Sequence, residues 1–320
     1  MALFSFPSKS TAAGREDQTS RPLENFLRGY SIEVIPRTAA KVASFRDILP
    51  EGTRVYIAHI DGTPIEDMVR TARRLTDDGF AVMPHFPARI IKDRAELADW
   101  IARYQGEAGV TQALLLGGGR TTTAGEFEDS LKLIETGLFD GFRHLHVAGH
   151  PEGNRDIDPD GSDRIVMQAL NWKQAFSRRT DARVAITTQF CFEAAPVIAW
   201  ANRVADEGID LPIHIGVAGP ARIQTLMKYA LSCGVGPSMK VLQRRARDVT
   251  KLLLPYEPTE LLSELAVYKE QQPGFGIEQV HFFPLGGIET SANWVTEHGG
   301  SAGRPANSEG DTHDGADYRR

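Results

Sequence analysis

Read from its N-terminus, the chain repeats one unit: a short apolar run that ends in glycine, proline or a polar turn, then an amphipathic stretch of helical period. The apolar runs are "SIEVIP" (31–36), "RVYIAHI" (54–60), "AVMPHF" (81–86), "ALLLGG" (113–118), "HLHVAGH" (144–150), "RVAITTQF" (183–190), "PIHIGVAG" (212–219) and "VHFFPLGG" (280–287). Helical segments follow them, such as "PIEDMVRTARRLTDD" after the second and "DRAELADWIARYQGE" after the third. Strands apolar on both faces predict a parallel sheet covered by helices. Eight such units over about 260 residues predict an α/β fold of the (βα)8 TIM-barrel class, with a doubly wound open sheet as the competing architecture. "VGPSMKVLQRRARDVTKLL" and "PTELLSELAVYKEQQ" predict extra helices between strands seven and eight.

Three domains of behaviour follow from composition. Residues 1–26 read as a flexible N-terminal arm, 27–297 as the barrel and 298–320 as a disordered C-terminal tail. The 320 residues carry 36 basic and 42 acidic side chains, a formal charge of −6, with no basic stripe suited to nucleic acid. No apolar run approaches the ~18–20 residues of a bilayer span and no signal-peptide core is visible, so a cytoplasmic protein is expected. Cys191 and Cys233 make no framework and no CxxC pair, and both are expected as buried thiols.

In a barrel the chemistry sits at the C-terminal strand ends. On the first strand Ile32 and Val34 are expected to face the helices, and Ser31, Glu33 and Ile35 the axis. A carboxylate pointing into a barrel costs several kcal/mol unless paired or protonated. Glu33 is therefore either a general acid or one half of a salt bridge, to Arg37 or to an inward lysine. His85 ends the third strand, and Gln189, near the end of the sixth, offers an amide suited to a heterocycle edge. His144 and His146 alternate on one strand and raise a metal-dependent hydrolase as an alternative, although they stand at the strand's start. "LLLGGGRTTTAGEF" (114–127) poses a separate question: Gly117, Gly118 and Gly119 either turn the chain or let something flat lie against the backbone.

With these strand ends side by side, residues 30–296 resemble the methylenetetrahydrofolate reductase family. "SIEVIPRT" is similar to the first strand whose glutamate is the family's proton donor, "VMPHF" to its third-strand Pro-His, and "HVAGHPEGN" to its fifth strand and following loop. "AITTQFCFEAAPVIAWANRVADEGIDLPIHIGVAG" is similar to its sixth and seventh strands, and carries the match best. The resemblance implies reduction of 5,10-methylenetetrahydrofolate to 5-methyltetrahydrofolate, or the reverse oxidation, with NAD(P)H as electron source. Glu33 would protonate N10, Gln189 and Phe190 would hold the pterin, and Tyr229 in "RIQTLMKYA" would stack on a ring.

On the cofactor side the resemblance places His85, Gly117, Gly118, Gly119, His150 and Asn171. There the chain departs from the pattern: the family's Arg-Gly-Asp stretch appears as the three glycines, its tyrosine as His150, a loop histidine as Asn154, and the basic pair that meets the FAD phosphates as Gln174 and Ala175. Either FAD is held by other contacts, with Arg120 or Arg178 on its diphosphate, or nicotinamide takes its place and transfers hydride directly. "VMPHFPARIIKDRAELADWI" is closer to the short, flavin-independent branch, and direct transfer is the favoured expectation. The remaining alternative is a non-catalytic folate-binding barrel. The expected partner is the small-molecule folate, with self-association left open, and neither nucleic acid nor membrane.

Overall fold

The computed structural model describes residues 21–232, 242, 243, 246 and 254–301. Eight parallel strands close into a barrel in chain order: β1 (Ser31–Val34), β2 (Arg54–Ile57), β3 (Ala81–Pro87), β4 (Gln112–Leu116), β5 (His144–Gly149), β6 (Arg183–Cys191), β7 (Ile213–Ala218) and β8 (Ile277–Phe283). β1 pairs with β2 on one side and with β8 on the other, so the two ends of the chain complete the sheet. The protein is a (βα)8 barrel. Among the described residues no helix is long and apolar enough to cross a membrane.

The strand positions match the apolar runs. β8 begins three residues earlier than expected, because a register shift against β7 pairs Ile213 with Ile277 but His214 with Gln279. Between β7 and β8 the helix Ile223–Ser232 is followed by Thr259–Gln271, which is the extra helix expected at "PTELLSELAVYKEQQ"; the other expected extra helix falls on 235–253. Most of 235–253 and Cys233 lie outside the described residues.

The barrel unit is longer at its start than composition suggests. Residues 21–27 are helical, and Leu23, Phe26 and Leu27 sit in the main core. Gly29 N donates to Ser301 O at 2.9 Å and ties this helix to the turn after the last one, Ile288–Glu297. The expected arm and tail therefore overreach at 21–26 and 298–301, while 1–20 and 302–320 lie outside the described residues. A single i, i+3, i+4 apolar stripe is easily hidden by Ser- and Thr-rich flanks.

Alternation on the strands divides two interiors. Ile32, Val34, Val55, Leu115, Val147 and Val217 point outward into the main core beneath the helices. β6 changes parity part-way. Thr187 pairs with His214 but Phe190 with Gly216, so one extra residue bulges at Thr188–Gln189. Gly216 makes this possible, since a Cβ there would overlap the Thr188 carbonyl oxygen, and Gly216 N donates to Thr188 Oγ1 at 2.8 Å. Beyond the bulge Cys191 faces the main core, while Phe190 and Phe192 join Ala218, Leu226 and Tyr256 in an apolar cluster at the same end of the barrel.

The glycine run after β4 has a definite backbone role. Gly118 has φ +90°, and a Cβ on it would lie 3.0 Å from Pro87 Cβ; Cβ atoms on Gly117 and Gly119 would meet nothing within 4 Å. Arg89 straps the loop: its N donates to Gly117 O at 3.0 Å and its Nη1 to Arg120 O at 2.9 Å. Gly118→Ala should cost about 1–3 kcal/mol in denaturant unfolding, because it combines a left-handed φ with close approach to Pro87. Gly119→Ala should stay within about 0.5 kcal/mol. Equal effects of the two would remove the turn explanation.

Candidate active site

Alternate strand residues face the barrel lumen, and here that set is largely polar. Nearest the N-terminal end, Arg54 donates from Nε to Gln112 Oε1 at 2.8 Å and from Nη1 to Gln279 Oε1 at 3.4 Å. Above it the Tyr56 hydroxyl lies 2.7 Å from His146 Nδ1 and 3.2 Å from Thr187 Oγ1, and His146 Nδ1 is 2.8 Å from Thr187 Oγ1. The His214 ring meets His146 edge-on at 4.5 Å between centroids. Met83 and Leu114 pack on Tyr56 as the apolar part of this layer. Lumens of this fold are ordinarily filled by branched aliphatic side chains.

At the C-terminal end, Glu33 from β1 meets two imidazoles. Its Oε2 is 3.3 Å from His85 Nε2 and 3.8 Å from His281 Nε2. The other nitrogen of His281, Nδ1, is 2.9 Å from Ser31 Oγ, a contact set up by the β1–β8 pairing that places Ser31 opposite His281. The Glu33 side chain keeps 17% exposure, so it is the point at which this buried set reaches the mouth.

Burial raises the Glu33 carboxyl, but hydrogen bonds and charge from His281 and His85 outweigh it and hold the group down at about 2. The sequence predicts either a neutral acid or a salt bridge to Arg37 or lysine; the structure supplies histidines as the partners. A carboxylate in this setting is charged while the site is open. His281 is itself pushed down by burial, with Glu33 acting in the opposite sense.

The other expected residues divide. His85 joins Glu33 directly. Gln189 sits at the β6 bulge, where its Oε1 accepts from Phe190 N at 3.1 Å and, among the described residues, its NH2 group donates to nothing. Phe190 is buried, with its ring edge-on to Phe192 and Phe283. Tyr229 stands on the last turn of the Ile223–Ser232 helix, 41% exposed and three residues beyond Leu226 of the apolar cluster. His150 follows β5, its imidazole pushed down to about 4 by burial and then by the Lys173 charge.

Asn171 is exposed on the helix Arg164–Ser177, and the structure does not turn it toward the barrel. Its neighbour Lys173 is turned inward instead, buried, with Nζ donating to Ala148 O at 3.5 Å. Gln174 ties its helix to the start of β7: its Nε2 donates to Asp210 Oδ1 at 2.6 Å, and its Oε1 accepts from Asp210 N at 3.0 Å. Its identity therefore says little about a diphosphate at the mouth. Arg120 is paired with Asp61 at 3.5 Å.

His281, Tyr56, His214 and Lys173 were absent from the sequence-level site. Alternation could have found His281, since Val280 and Phe282 are the outward residues of "VHFF"; only closure of the barrel shows that it meets Glu33. His144 and His146 both belong to the inward parity of β5, yet His146 uses Nδ1 on Tyr56 and Thr187. Among the described residues no three His, Cys, Asp or Glu side chains are arranged to hold a metal ion.

Two clefts flank the mouth. One of about 810 Å³ lies between the loops after β1 and β2, lined by Ile35, Arg37, Asp61 and Arg70 among others. The other, of about 660 Å³, lies between the loops after β7 and β8, beside Arg222, Glu257 and Trp294. Ile35, expected on the axis, lines the first of these.

No protein-family model matches the sequence. Among solved structures the chain is similar to the carboxyl transferase domain of Rhizobium etli pyruvate carboxylase, determined with 3-bromopyruvate and with pyruvate. Both comparisons have 9% identity and a TM-score of 0.44, covering 96% of this chain and 50% of the other. The chain thus spans about half the length of these neighbours, and a likeness of this degree transfers neither activity nor ligand.

The lumen histidines make stability pH-dependent. Burial pushes His146 and His214 well below 6.5, and His144 to about 4. Each folded pKa lies below the unfolded one, so near pH 5 the unfolded chain binds more protons and unfolding takes them up. The stability these groups contribute is complete above about pH 6.5 and is lost as pH falls below it, the His144 share by about 4. Glu33 extends the loss, since its share is present above about 4.5 and disappears toward about 2. Denaturant titrations at pH 7, 6 and 5 should show an uptake of about two or more protons on unfolding at pH 5. Unchanged stability across that range would mean that the imidazoles protonate freely inside the barrel.

Proposed function

We propose that this chain reduces 5,10-methylenetetrahydrofolate to 5-methyltetrahydrofolate, with Glu33 as the group that delivers a proton to N10. The observation that carries the reading is the partly exposed carboxylate on β1 with two imidazoles against it, 3.3 and 3.8 Å away, where the polar lumen meets the mouth. The reaction needs such a group. The ring that joins N5 and N10 must open before hydride can reach the bridging carbon, and protonation of N10 lets that C–N bond break and leaves an electrophilic iminium at N5.

A pterin seated over Glu33 would strip water from the carboxylate and raise its proton affinity, so that Glu33 takes up a proton as the ligand binds and passes it to N10. The free amide NH2 of Gln189, re-aimed by the β6 bulge, suits the acceptor edge of the pterin. The apolar wall of Phe190, Phe192 and Phe283 supports that side. A bound nicotinamide supplies hydride. The backbone at Gly117 and Gly119 has room for a flat ring, while Gly118 keeps the turn. Hydride passes directly from NAD(P)H in this scheme, and a bound FAD intermediary is the outcome that would replace it.

A metal-dependent hydrolase gains no support, because His146 is already engaged by Tyr56 and Thr187. A binding protein without chemistry has no use for a carboxylate loaded by two histidines.

Glu33→Gln should lower the rate of methylenetetrahydrofolate reduction by about 10²- to 10⁴-fold and leave nicotinamide affinity within a few-fold, because the amide keeps the shape and cannot carry the proton. A variant retaining more than about a tenth of the wild-type rate would end the assignment. Purified protein should be colourless and oxidise NADH or NADPH only when methylenetetrahydrofolate is added. Stoichiometric flavin in the preparation would replace direct transfer by the flavin-mediated route.

A further inference from the structure

The N-terminal mouth of the barrel, at the far end from Glu33, is cationic. The inward residues at this level on β2 to β6 and β8 are Arg54, Ala81, Gln112, His144, Arg183 and Gln279, and none of them is acidic. Strand pairing sets Gln112, His144 and Arg183 side by side on β4, β5 and β6, with the exposed Arg143 one residue ahead of His144. Arg54 reaches across from β2. Its Nε donates to Gln112 Oε1 at 2.8 Å and its Nη1 to Gln279 Oε1 at 3.4 Å. Both acceptors are neutral amides, so they match two N–H groups and leave the rest of the fork, and its charge, without a carboxylate among the described residues.

A cation taken partly out of water with no opposite charge beside it is costly. Elsewhere the chain meets that cost with acids: the half-buried Arg103 donates to Glu66 Oε1 at 2.7 Å and to Glu107 Oε1 at 2.9 Å. At the N-terminal mouth the positive charge falls on histidines instead. Burial, followed by Arg54, Arg183 and Arg143, holds His144 down at about 4, and the Arg54 charge also acts on His146 and His214. The half-buried His144 imidazole makes no hydrogen bond among the described residues. An oxyanion at this mouth would answer both features, since it accepts from the remaining N–H groups of Arg54 and opposes the guanidinium charges crowded on the ring.

We propose that the N-terminal mouth of the barrel is an oxyanion site in which Arg54, His144 and Arg183 bind a phosphate or carboxylate group. Arg54 is the anchor, held in place by Gln112 and Gln279. Arg183 meets the ligand from the exposed rim, and neutral His144 donates one ring N–H. The charged and titratable groups that face the bound anion are these three with Arg143, and His146 and His214 lie behind them in the lumen. One source of carboxylate belongs to the chain itself. Gly29 N, two residues ahead of β1, donates to Ser301 O at 2.9 Å, so Ser301 stands at this end of the barrel, and Glu309, Asp311, Asp314 and Asp317 follow it in sequence. Free phosphate is the other source.

The test is a titration of the full chain with inorganic phosphate at constant ionic strength, followed through the His144 ring resonances by NMR, with His144→Gln to assign them. The resonances should shift saturably, and the His144 titration midpoint should rise above 5, because the anion offsets the arginine charges. Arg54→Lys keeps the charge and loses the fork, and Arg183→Gln removes a charge from the exposed rim; each should weaken phosphate binding by about tenfold. Arg183→Gln carries the comparison if Arg54→Lys does not fold. The sources are separated by a full-length variant with Glu309→Gln, Asp311→Asn, Asp314→Asn and Asp317→Asn. A response to phosphate in that variant but not in wild type would support the site and assign it to the chain's own carboxylates. An equal response to chloride at the same ionic strength, phosphate affinity unchanged in the arginine variants, or no response in either wild type or the acid-neutralised protein would overturn the proposal.

Discussion

Closure of the barrel is the constraint on which everything else depends. Once β1 pairs with both β2 and β8, eight strands point alternate side chains into one enclosed column, where Arg54, Tyr56, His146 and Thr187 find partners on other strands while His85 Nε2, His214 Nδ1 and His281 Nε2 make no hydrogen bond. This chain places an arginine, two glutamines, a tyrosine, a threonine and several histidines in that column. The pairs that do form are tied to closure of the sheet. The Arg54 contacts to Gln112 and Gln279 draw on three strands, and the Tyr56 contacts to His146 and Thr187 on three, so these bonds form only when the whole sheet does.

The same closure makes the candidate site. Glu33 and His281 stand on the first and last strands of the barrel, and their approach at 3.8 Å exists because β8 lies beside β1. His85 arrives from two strands away at 3.3 Å. The two imidazoles offset the burial of the carboxylate, which otherwise would favour its neutral form. Site and scaffold therefore draw on one set of contacts, and the acid that faces the mouth is held by groups that also fill the column beneath it.

Local devices re-aim single residues on this frame. The bulge in β6 depends on Gly216, because a larger residue on β7 would collide with the Thr188 carbonyl, and it moves Phe190 and Phe192 onto the apolar cluster while leaving Gln189 at the turn of parity. Gly118 acts comparably after β4, where its positive φ and its approach to Pro87 let Arg89 seize the loop carbonyls. The glycine run is thus a turn at its centre and bare backbone at its edges.

Eight apolar runs with helical stretches between them determine an alternating βα chain with a parallel sheet, because period and strand length are local properties that any window of the chain displays, while closure of that sheet into a barrel sets it apart from an open one. The inward orientation of Glu33 follows in the same way from its alternation with Ile32 and Val34. Other features depend on contacts that no window contains. That the partners of Glu33 are His85 and His281, and not Arg37, was decided by which strands became neighbours. That Lys173 and not Asn171 turns toward β5, and that Gln174 is tied to Asp210, was decided by how one helix rotates on the sheet. The stripe at Leu23, Phe26 and Leu27 joined the core because the barrel offered it an apolar surface, which a composition reading of the polar N-terminal stretch cannot see. Period settles the face of a side chain within a regular strand such as β1, but not past its end at Ile35 or across the β6 bulge; the group a side chain meets across the lumen is a matter of closure, and only the tertiary structure holds that information.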